Sequence, residues 1–275
     1  ELELKTEAYY NTLLQSYIAN CIFAAYKTDF VNVKMTNLGP KINSKLDDLF
    51  PYIANNESWM FYTRNVPNAD EDKLMYSSGM DGEWSKSKPL LNKKINKEFN
   101  QGMGKISRDE KIMFFPGCNR DDILGGCDIL KAQMDKEEIL DISKLNDGVN
   151  SDSWDSQPSI NCEGKSLYFV SDRPGGYGGT DIWVSHLQED GSWTEAINLG
   201  DKINTPMDEE SPFIGDDNVT LFFASNGHPG YGDMDIFYAR NSEEGYWSEP
   251  ENLGKPVNSA EREISFFMNA RGNKG

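Results

Sequence analysis

Short apolar runs separated by turn residues recur along most of the chain. Within residues 156–199 four such runs alternate with Gly-rich or charged turns, namely 156–160, 167–170, 181–184 and a last run that follows Trp193 and ends at Leu199. Runs of this length, rich in β-branched and aromatic residues and bounded by turn residues, are typical of β-strands. The pattern predicts a four-stranded antiparallel meander.

The meander recurs at a fixed spacing. A segment of the form L-x-x-x-[IV]-N occurs five times, 53, 54, 54 and 54 residues apart, and ends at Asn43, Asn96, Asn150, Asn204 and Asn258. A fixed period indicates a stack of identical supersecondary units, and four-stranded sheets that are apolar on both faces are covered when they pack radially. We therefore predict an all-β fold, a β-propeller with four complete four-stranded blades and a partial fifth. That fifth unit offers one strand around 264–267.

Two positions recur within the repeat. The third strand of three units begins with an Asp, and a turn in three units carries a Trp: Asp128, Asp181, Asp235 and Trp84, Trp193, Trp247. A ring of carboxylates could bind a metal or act in acid–base chemistry. Because a residue present once per blade is most simply a part of the blade, we interpret each Asp as an acceptor for backbone N–H groups of the preceding Gly-rich turn.

The first 30 residues have a different pattern. Apolar residues recur at three-and-four spacing between Glu7 and Tyr26, without Gly or Pro, which predicts an amphipathic helix. The sequence thus divides into an N-terminal helix at 1–30 and a propeller at 31–275 that is truncated in its fifth repeat. The helix either covers the open end of the propeller or is the last helix of a preceding helical repeat domain.

Composition and charge narrow the classes of partner. The 275 residues include 45 acidic and 27 basic side chains, for a net charge of −18, and the aromatic content of 12% indicates a folded protein despite a mean hydropathy of −0.64. A surface of this charge repels nucleic acid and anionic lipid. No run approaches the roughly 18 apolar residues of a membrane span. We expect neither nucleic-acid binding nor membrane insertion by this chain.

The four cysteines are unevenly placed. Cys118 and Cys127 flank a loop between two predicted strands, so a hairpin would bring them face to face. A disulfide there would require an oxidising compartment, and two reduced structural thiols are the alternative. Cys21 and Cys162 have no evident partners.

The residues that break the repeat are the candidates for individual function. The two histidines, His186 and His228, stand outside any known catalytic motif, and we expect both to face solvent. We expect no catalytic residue, metal or cofactor. Candidates for partner binding on one rim of the propeller lie in the Gly-rich loops: Leu124, Tyr177, His228 and Tyr231. Rim aromatics beside glycines suit a protein partner, although each Tyr could instead pack on the next blade.

The Gly-rich segments resemble a known repeat. LYFVSDRPGGYGGTDIWV at 167–184 and LFFASNGHPGYGDMDIFY at 221–238 look like PD40 repeats, the WD40-like units of TolB-type propellers. The whole pattern is similar to a family of envelope proteins, among them type IX secretion subunits, that carry a TPR segment, a PD40 propeller and a C-terminal OmpA-like domain. The first repeat departs from it, since NVPNADED replaces the Gly-rich loop, and no OmpA-like domain is recognised.

The resemblance implies a periplasmic, outer-membrane-associated protein that binds protein partners in the cell envelope without catalysis. Contact with peptidoglycan is expected only through the OmpA-like domain. The alternative is a propeller enzyme that acts on glycans or peptides through carboxylates at the centre of the ring. Acids on the predicted innermost strands would then converge on a pocket: Asp47, Asp48, Asp155 and Glu210.

Overall fold

A computed structural model describes most of the chain. The described residues are 2–27, 33–34, 36–54, 56–66, 72–80, 83–90, 104–118, 120–135, 138–269 and 272. All structural statements below refer to these residues.

One helix and four antiparallel sheets make up the described structure. The helix is α1 (Leu2–Tyr26). Blade 1 contains β1 (Asp48–Ile53), β2 (Trp59–Arg64) and β3 (Lys73–Met80), and its outer strand is split into β4 (Glu83–Trp84) and β5 (Lys88–Pro89), which both pair with β3. Blade 2 contains β6 (Lys105–Ile106), β7 (Ile112–Cys118), β8 (Cys127–Asp135) and β9 (Glu138–Lys144).

The last two sheets follow the same order. Blade 3 contains β10 (Asp155–Ile160), β11 (Ser166–Ser171), β12 (Asp181–His186) and β13 (Ile197–Asn198). Blade 4 contains β14 (Glu209–Ile214), β15 (Thr220–Ser225), β16 (Asp235–Arg240) and β17 (Glu251–Asn252). Consecutive strands pair in blades 2 to 4, and in blade 1 both outer segments pair with β3. The predicted propeller with four blades and an N-terminal helix is confirmed.

The repeated Asn fastens each blade to the chain that leads into the next one. The Oδ1 of Asn204 accepts a hydrogen bond from the N–H of Ile182 at 2.8 Å, and its Nδ2 donates to the carbonyl of Ile182 at 3.0 Å. Asn150 and Asn258 make the same pair of bonds to Ile129 and Ile236. The side chain thus satisfies both backbone groups of a third-strand residue, as a neighbouring strand would.

The turn Trp residues seal the spaces between blades. Trp193 packs edge-on against Phe114 of the preceding blade, with their ring centroids 6.1 Å apart. Trp247 packs in the same way against Tyr168, with ring centroids 6.3 Å apart. Both indoles are buried, as is Trp84 within blade 1. In blade 2 Ile139 is buried in their place. Each pair of neighbouring blades in turn shares a hydrophobic core, which is how a radial stack covers both faces of its sheets.

The partial fifth unit differs from the prediction. No strand forms among residues 253–269, so the strand predicted around 264–267 is wrong. A strand needs a neighbour to pair with, and the described part of this unit offers one parallel bridge, between Arg262 and Met234. Its aromatic side chains nevertheless join the first and last blades. The ring centroid of Phe267 lies 5.5 Å from that of Tyr52 in blade 1 and 5.6 Å from that of Phe213 in blade 4.

Candidate functional site

Equivalent residues of four repeats meet in the ring, where Lys105 lies beside the rings of Tyr52, Phe213 and Phe267, and Ser159 is their counterpart in blade 3. They have the spacing of the repeated Asn, and we call them the axis position: Tyr52, Lys105, Ser159, Phe213 and Phe267. In three blades a β-bulge with a positive-φ residue precedes them on the innermost strand, at Phe50 (φ 53°), Gln157 (φ 50°) and Ser211 (φ 53°). A bulge re-aims the side chains that follow it. The repeated bulge thus brings unlike side chains to one place.

Lys105 is the cation of the axis position. Its side chain is buried, and its Nζ lies 3.8 Å from the ring centroid of Phe213, 5.7 Å from that of Tyr52 and 5.6 Å from that of Phe267. Burial lowers the pKa of Lys105 to about 7, and the charge of Asp216 opposes that shift. The aromatic faces favour the ammonium form. A cavity of about the size of one water molecule lies on either side of Lys105.

The acids of the innermost strands are held by arginines. Each binds a different guanidinium: Asp48 binds Arg64 at 2.6 Å, Asp155 binds Arg173 at 2.6 Å, and Glu210 binds Arg262 at 3.1 Å. Asp47 is exposed. Within the described ranges no group of three or more His, Cys, Asp or Glu side chains could hold a metal ion. Among the described residues, three of these four carboxylates are therefore paired with an arginine, and none of the four lines the cavities beside Lys105, one of which is lined by Asp216.

Another acid of an innermost strand is buried without an arginine. Glu209 accepts hydrogen bonds from the N–H and hydroxyl of Thr205 and from the hydroxyl of Ser225, each at 2.7 Å. Burial raises the pKa of Glu209 to about 7, against the effect of these hydrogen bonds. Asp155 and Glu263 accept the same local bonds from Ser151 and Ser259. The motif recurs, and we assign it to the construction of the blade.

The repeated Asp shapes the Gly-rich loops. Asp181 accepts hydrogen bonds from the N–H groups of Tyr177 at 2.5 Å and Gly178 at 3.3 Å. Asp235 does the same for Tyr231 and Gly232. In blade 2 the bonds are longer, at 3.3 and 3.4 Å from Leu124 to Asp128, and the Nζ of Lys144 lies 3.0 Å from the Asp128 carboxylate. These are the contacts that the structural interpretation of the Asp residues describes.

Blade 2 has a disulfide at the loop whose hydrogen bonds to the repeated Asp are longer than in blades 3 and 4. Cys118 and Cys127 are directly paired in the register of β7 and β8 and form a disulfide. It closes the base of the loop between these strands. Cys21 and Cys162 are free, and Cys162 lines one of the cavities beside Lys105.

The four candidates for partner binding lie in different surroundings. Tyr177 and Leu124 are 51% and 50% exposed at the tips of their loops. Tyr231 is covered by the protein itself, because Phe23 of α1 packs edge-on against its ring at 5.1 Å and its hydroxyl donates to the carbonyl of Lys27. The helix lies on the loop of blade 4.

The histidines need a correction. His228 does not face solvent, because its Nε2 donates to the carbonyl of Ile203 at 2.9 Å and its ring packs beside Phe223 and Phe237. Burial lowers the pKa of His228, which favours the neutral ring. It is therefore a packing residue and not a rim contact. His186 is exposed and pairs with the hydroxyl of Ser166 at 3.0 Å.

The sequence contains a signal for Lys105 that the prediction missed. The histidines were chosen as breaks in the repeat, yet aligning the five copies on their Asn places Lys105 with three aromatic residues and a Ser. The contacts of Lys105 with the rings of Tyr52 and Phe213 join different blades and are not readable from composition or periodicity.

The solved structures that are similar to this chain include propellers. TolB from Acinetobacter baumannii is 14% identical with a TM-score of 0.52, and the match covers 80% of this chain and 47% of TolB. A puromycin-hydrolysing peptidase from Mycobacterium tuberculosis is 13% identical with a TM-score of 0.47, covering 81% of this chain and 33% of the peptidase. This chain thus spans about half of TolB and a third of the peptidase. No protein-family model and no curated protein matches the sequence.

Two further findings bear on the class of protein. Among the described residues, no helix is both long and apolar enough to cross a membrane. At 14% identity the likeness to TolB concerns the fold alone. Together with the four blades and the ring closed by Phe267, it makes this chain a β-propeller of TolB-like architecture.

Proposed function

We propose that the chain is a non-catalytic protein-interaction module. The observation that carries the proposal is a row of large apolar side chains along α1, facing away from the ring and 45–62% exposed: Tyr10, Leu14, Tyr17, Ile18 and Ile22. The opposite face of the helix is held by the ring through Ser16, Asn20 and Phe23. We call this row the α1 stripe. Exposed apolar patches of this kind mark sites of protein interaction.

The axis of the ring supports a role without catalysis. A glycan- or peptide-acting enzyme would need unlike carboxylates free to act on a substrate. The described acids of the innermost strands that the alternative named are bound to arginines or exposed, and aromatic side chains occupy the axis. The interaction module is therefore the better supported of the two functions.

We place the module in the periplasm, in an outer-membrane-associated complex. A disulfide between Cys118 and Cys127 persists in an oxidising compartment. The PD40 resemblance points to the same compartment and to protein partners in the cell envelope, with type IX secretion as the system that the resembling family suggests. The strongly acidic chain, with a net charge of −18, favours a basic partner surface.

The test is capture of a partner from envelope extract of the producing organism. We expect the purified chain to retain a stoichiometric partner and the double variant Leu14→Glu with Ile18→Glu to retain less than about a tenth as much, because two charges in the α1 stripe remain unpaired in an apolar interface. Leu140→Glu with Ile197→Glu is the matched control, since both are exposed apolar residues on blades 2 and 3, away from α1, and the change adds the same charge. Equal capture by both double variants, or no stoichiometric partner for the unaltered chain, would contradict the proposal.

A further inference from the structure

The loop of blade 4 binds a helix, and the structure shows how. We call residues 226–233 the blade 4 loop. Asn20 of α1 accepts a hydrogen bond from the N–H of Gly230 at 2.9 Å and donates to the carbonyl of Gly232 at 3.2 Å. Ser16 donates to the carbonyl of Asn226 at 3.0 Å. Phe23 packs against Tyr231, so α1 contacts the loop through backbone groups of the loop and one aromatic ring.

The loop of blade 3 offers the same groups. We call residues 172–179 the blade 3 loop, and its Gly176-Tyr177-Gly178 matches Gly230-Tyr231-Gly232 at the repeat spacing. The local geometry is shared as well, because a Cβ on Gly176 would lie 2.1 Å from Asp181 and a Cβ on Gly230 would lie 2.1 Å from Asp235. Both loops are therefore folded tightly over their Asp.

The two loops differ in what covers them. Gly230 is buried and Tyr231 half-buried beneath α1, whereas residues 174–179 are exposed. Among the described residues, nothing accepts a hydrogen bond from the N–H of Gly176, the equivalent of the Gly230 N–H that binds Asn20. The blade 3 loop thus presents the same groups as the blade 4 loop, and no helix in the described part of the chain covers them.

We propose that the blade 3 loop binds an amphipathic helix of a partner protein, in the way that the blade 4 loop binds α1. The proposal rests on the interaction function proposed above and specifies the partner at a second surface. The partner helix presents a small hydroxyl residue, a carboxamide four residues later and an aromatic residue three further on, as Ser16, Asn20 and Phe23 do.

The charges beside the loop distinguish this helix from α1. Lys255, whose Nζ lies 4.8 Å from the ring of Tyr231, is replaced at the repeat spacing by Asp201 in blade 3. Asn226 is replaced by Asp172. Each loop carries one exposed acid, Asp172 or Asp233, and Arg173 is bound to Asp155. The difference in charge therefore comes from the Asp in place of Lys255, which favours a helix that carries lysine or arginine beside its aromatic residue.

The probe is a synthetic peptide of residues 10–27 that carries Leu14→Lys, Ile18→Lys and Ile22→Lys. These positions face away from the loop in blade 4, so the changes add positive charge without touching the docking face. Calorimetric titration into the full chain should give one peptide per chain. Tyr177→Ala in the chain and Asn20→Ala in the peptide should each weaken binding at least about tenfold, because each removes a central contact. Tyr246→Ala, at a tyrosine that is 71% exposed elsewhere on blade 4, is the matched control and should leave binding unchanged.

Three results would overturn the inference. One is the absence of peptide binding. Another is binding that survives Tyr177→Ala but not Tyr231→Ala, which would mean that the peptide exchanges with α1 on blade 4. The third is a dimer of the chain, seen in sedimentation, that becomes a monomer with Tyr177→Ala. The blade 3 loop would then bind a second copy of the chain instead of a partner helix. If the peptide fails while envelope capture still depends on the α1 stripe, the inference is wrong and the proposed function stands.

Discussion

The periphery of the ring repeats from blade to blade, whereas its axis does not. Asn150, Asn204 and Asn258 make the same backbone bonds in three places, while the axis position holds a phenol, an amine, a hydroxyl and two phenyl rings. Neighbouring blades must be held at one spacing, so the same contact is needed each time. The axis side chains are not bound to one repeated contact, and there a single cation packs among three aromatic rings. Repetition therefore identifies the residues that build the ring, and departure from it identifies those with individual roles.

The largest effect should come from breaking a repeated contact. Asn204→Ala removes three hydrogen bonds and leaves the buried N–H of Ile182 without a partner, whereas the carbonyl of Ile182 keeps its bond from the N–H of Leu199. We therefore expect the substitution to lower the free energy of unfolding by about 3 kcal/mol. Urea denaturation followed by tryptophan fluorescence measures the change.

The chain provides a matched control at the same repeat position. Asn43 opens the first repeat and is exposed, so Asn43→Ala should change stability by less than about 0.5 kcal/mol. Equal losses in the two variants would show that the repeated Asn acts through something other than its bonds to the preceding blade.

A smaller effect should follow from opening the loop in which the periphery departs from the repeat. In blade 2 the bonds from loop to Asp are long, and a disulfide closes the loop base instead. Cys118→Ser with Cys127→Ser should lower stability by about 2.5 kcal/mol, from the restored entropy of the unfolded chain.

The same loss should follow when the unaltered chain is reduced, and reduction should not change the double variant. Cys21→Ser with Cys162→Ser alters the two free thiols and is the control, with an expected loss below about 1 kcal/mol. If the double variant at Cys118 and Cys127 is as stable as the unaltered chain, the disulfide does not stabilise the loop. The ion pair between Asp128 and Lys144 would then hold the loop instead.

The fold was largely readable from the sequence because its determinants are local and periodic. The period predicted the blades, and the alternation of apolar runs with Gly-rich turns predicted the strands of blades 3 and 4. The strand around 264–267 was wrong because a strand exists only through its partner, which a local pattern does not contain. The split outer strand of blade 1 was missed for a related reason, since β4 and β5 are each two residues long.

The sites were less predictable because they depend on contacts between distant parts of the chain. The helix was predicted, but nothing local indicates that Asn20 bridges Gly230 and Gly232. His228 was assigned to solvent because no catalytic motif surrounds it, whereas in the structure its ring donates a hydrogen bond to the carbonyl of Ile203 from the preceding turn. Lys105 required both the alignment of the repeats and its contacts with aromatic rings from other blades.

The smallest effect we predict tests the axis through its dependence on pH. The pKa of Lys105 is about 7 in the folded protein, below its ordinary value of 10.5, so the unfolded chain binds the extra proton between these values. Stability from this group should then rise with pH from about 7 to about 10.5 and be lowest below pH 7. Lys105→Met removes the buried amine and keeps an unbranched side chain, so it should stabilise the protein by about 2 kcal/mol at pH 7, since cation–π attraction offsets part of the desolvation cost.

The gain from Lys105→Met should shrink as the pH approaches 10.5, because the unfolded lysine then loses its proton as well. Lys165→Met, at an exposed lysine, is the control for the substitution itself and should change stability by less than about 0.5 kcal/mol. Urea denaturation at pH 6, 8 and 10 measures both variants. If Lys105→Met destabilises the protein equally at all three values, the aromatic rings of Tyr52, Phe213 and Phe267 hold Lys105 as an ammonium ion throughout. The axis would then be a cation site occupied by the protein's own side chain. The lysine that departs from the repeat at position 105 would stabilise the propeller.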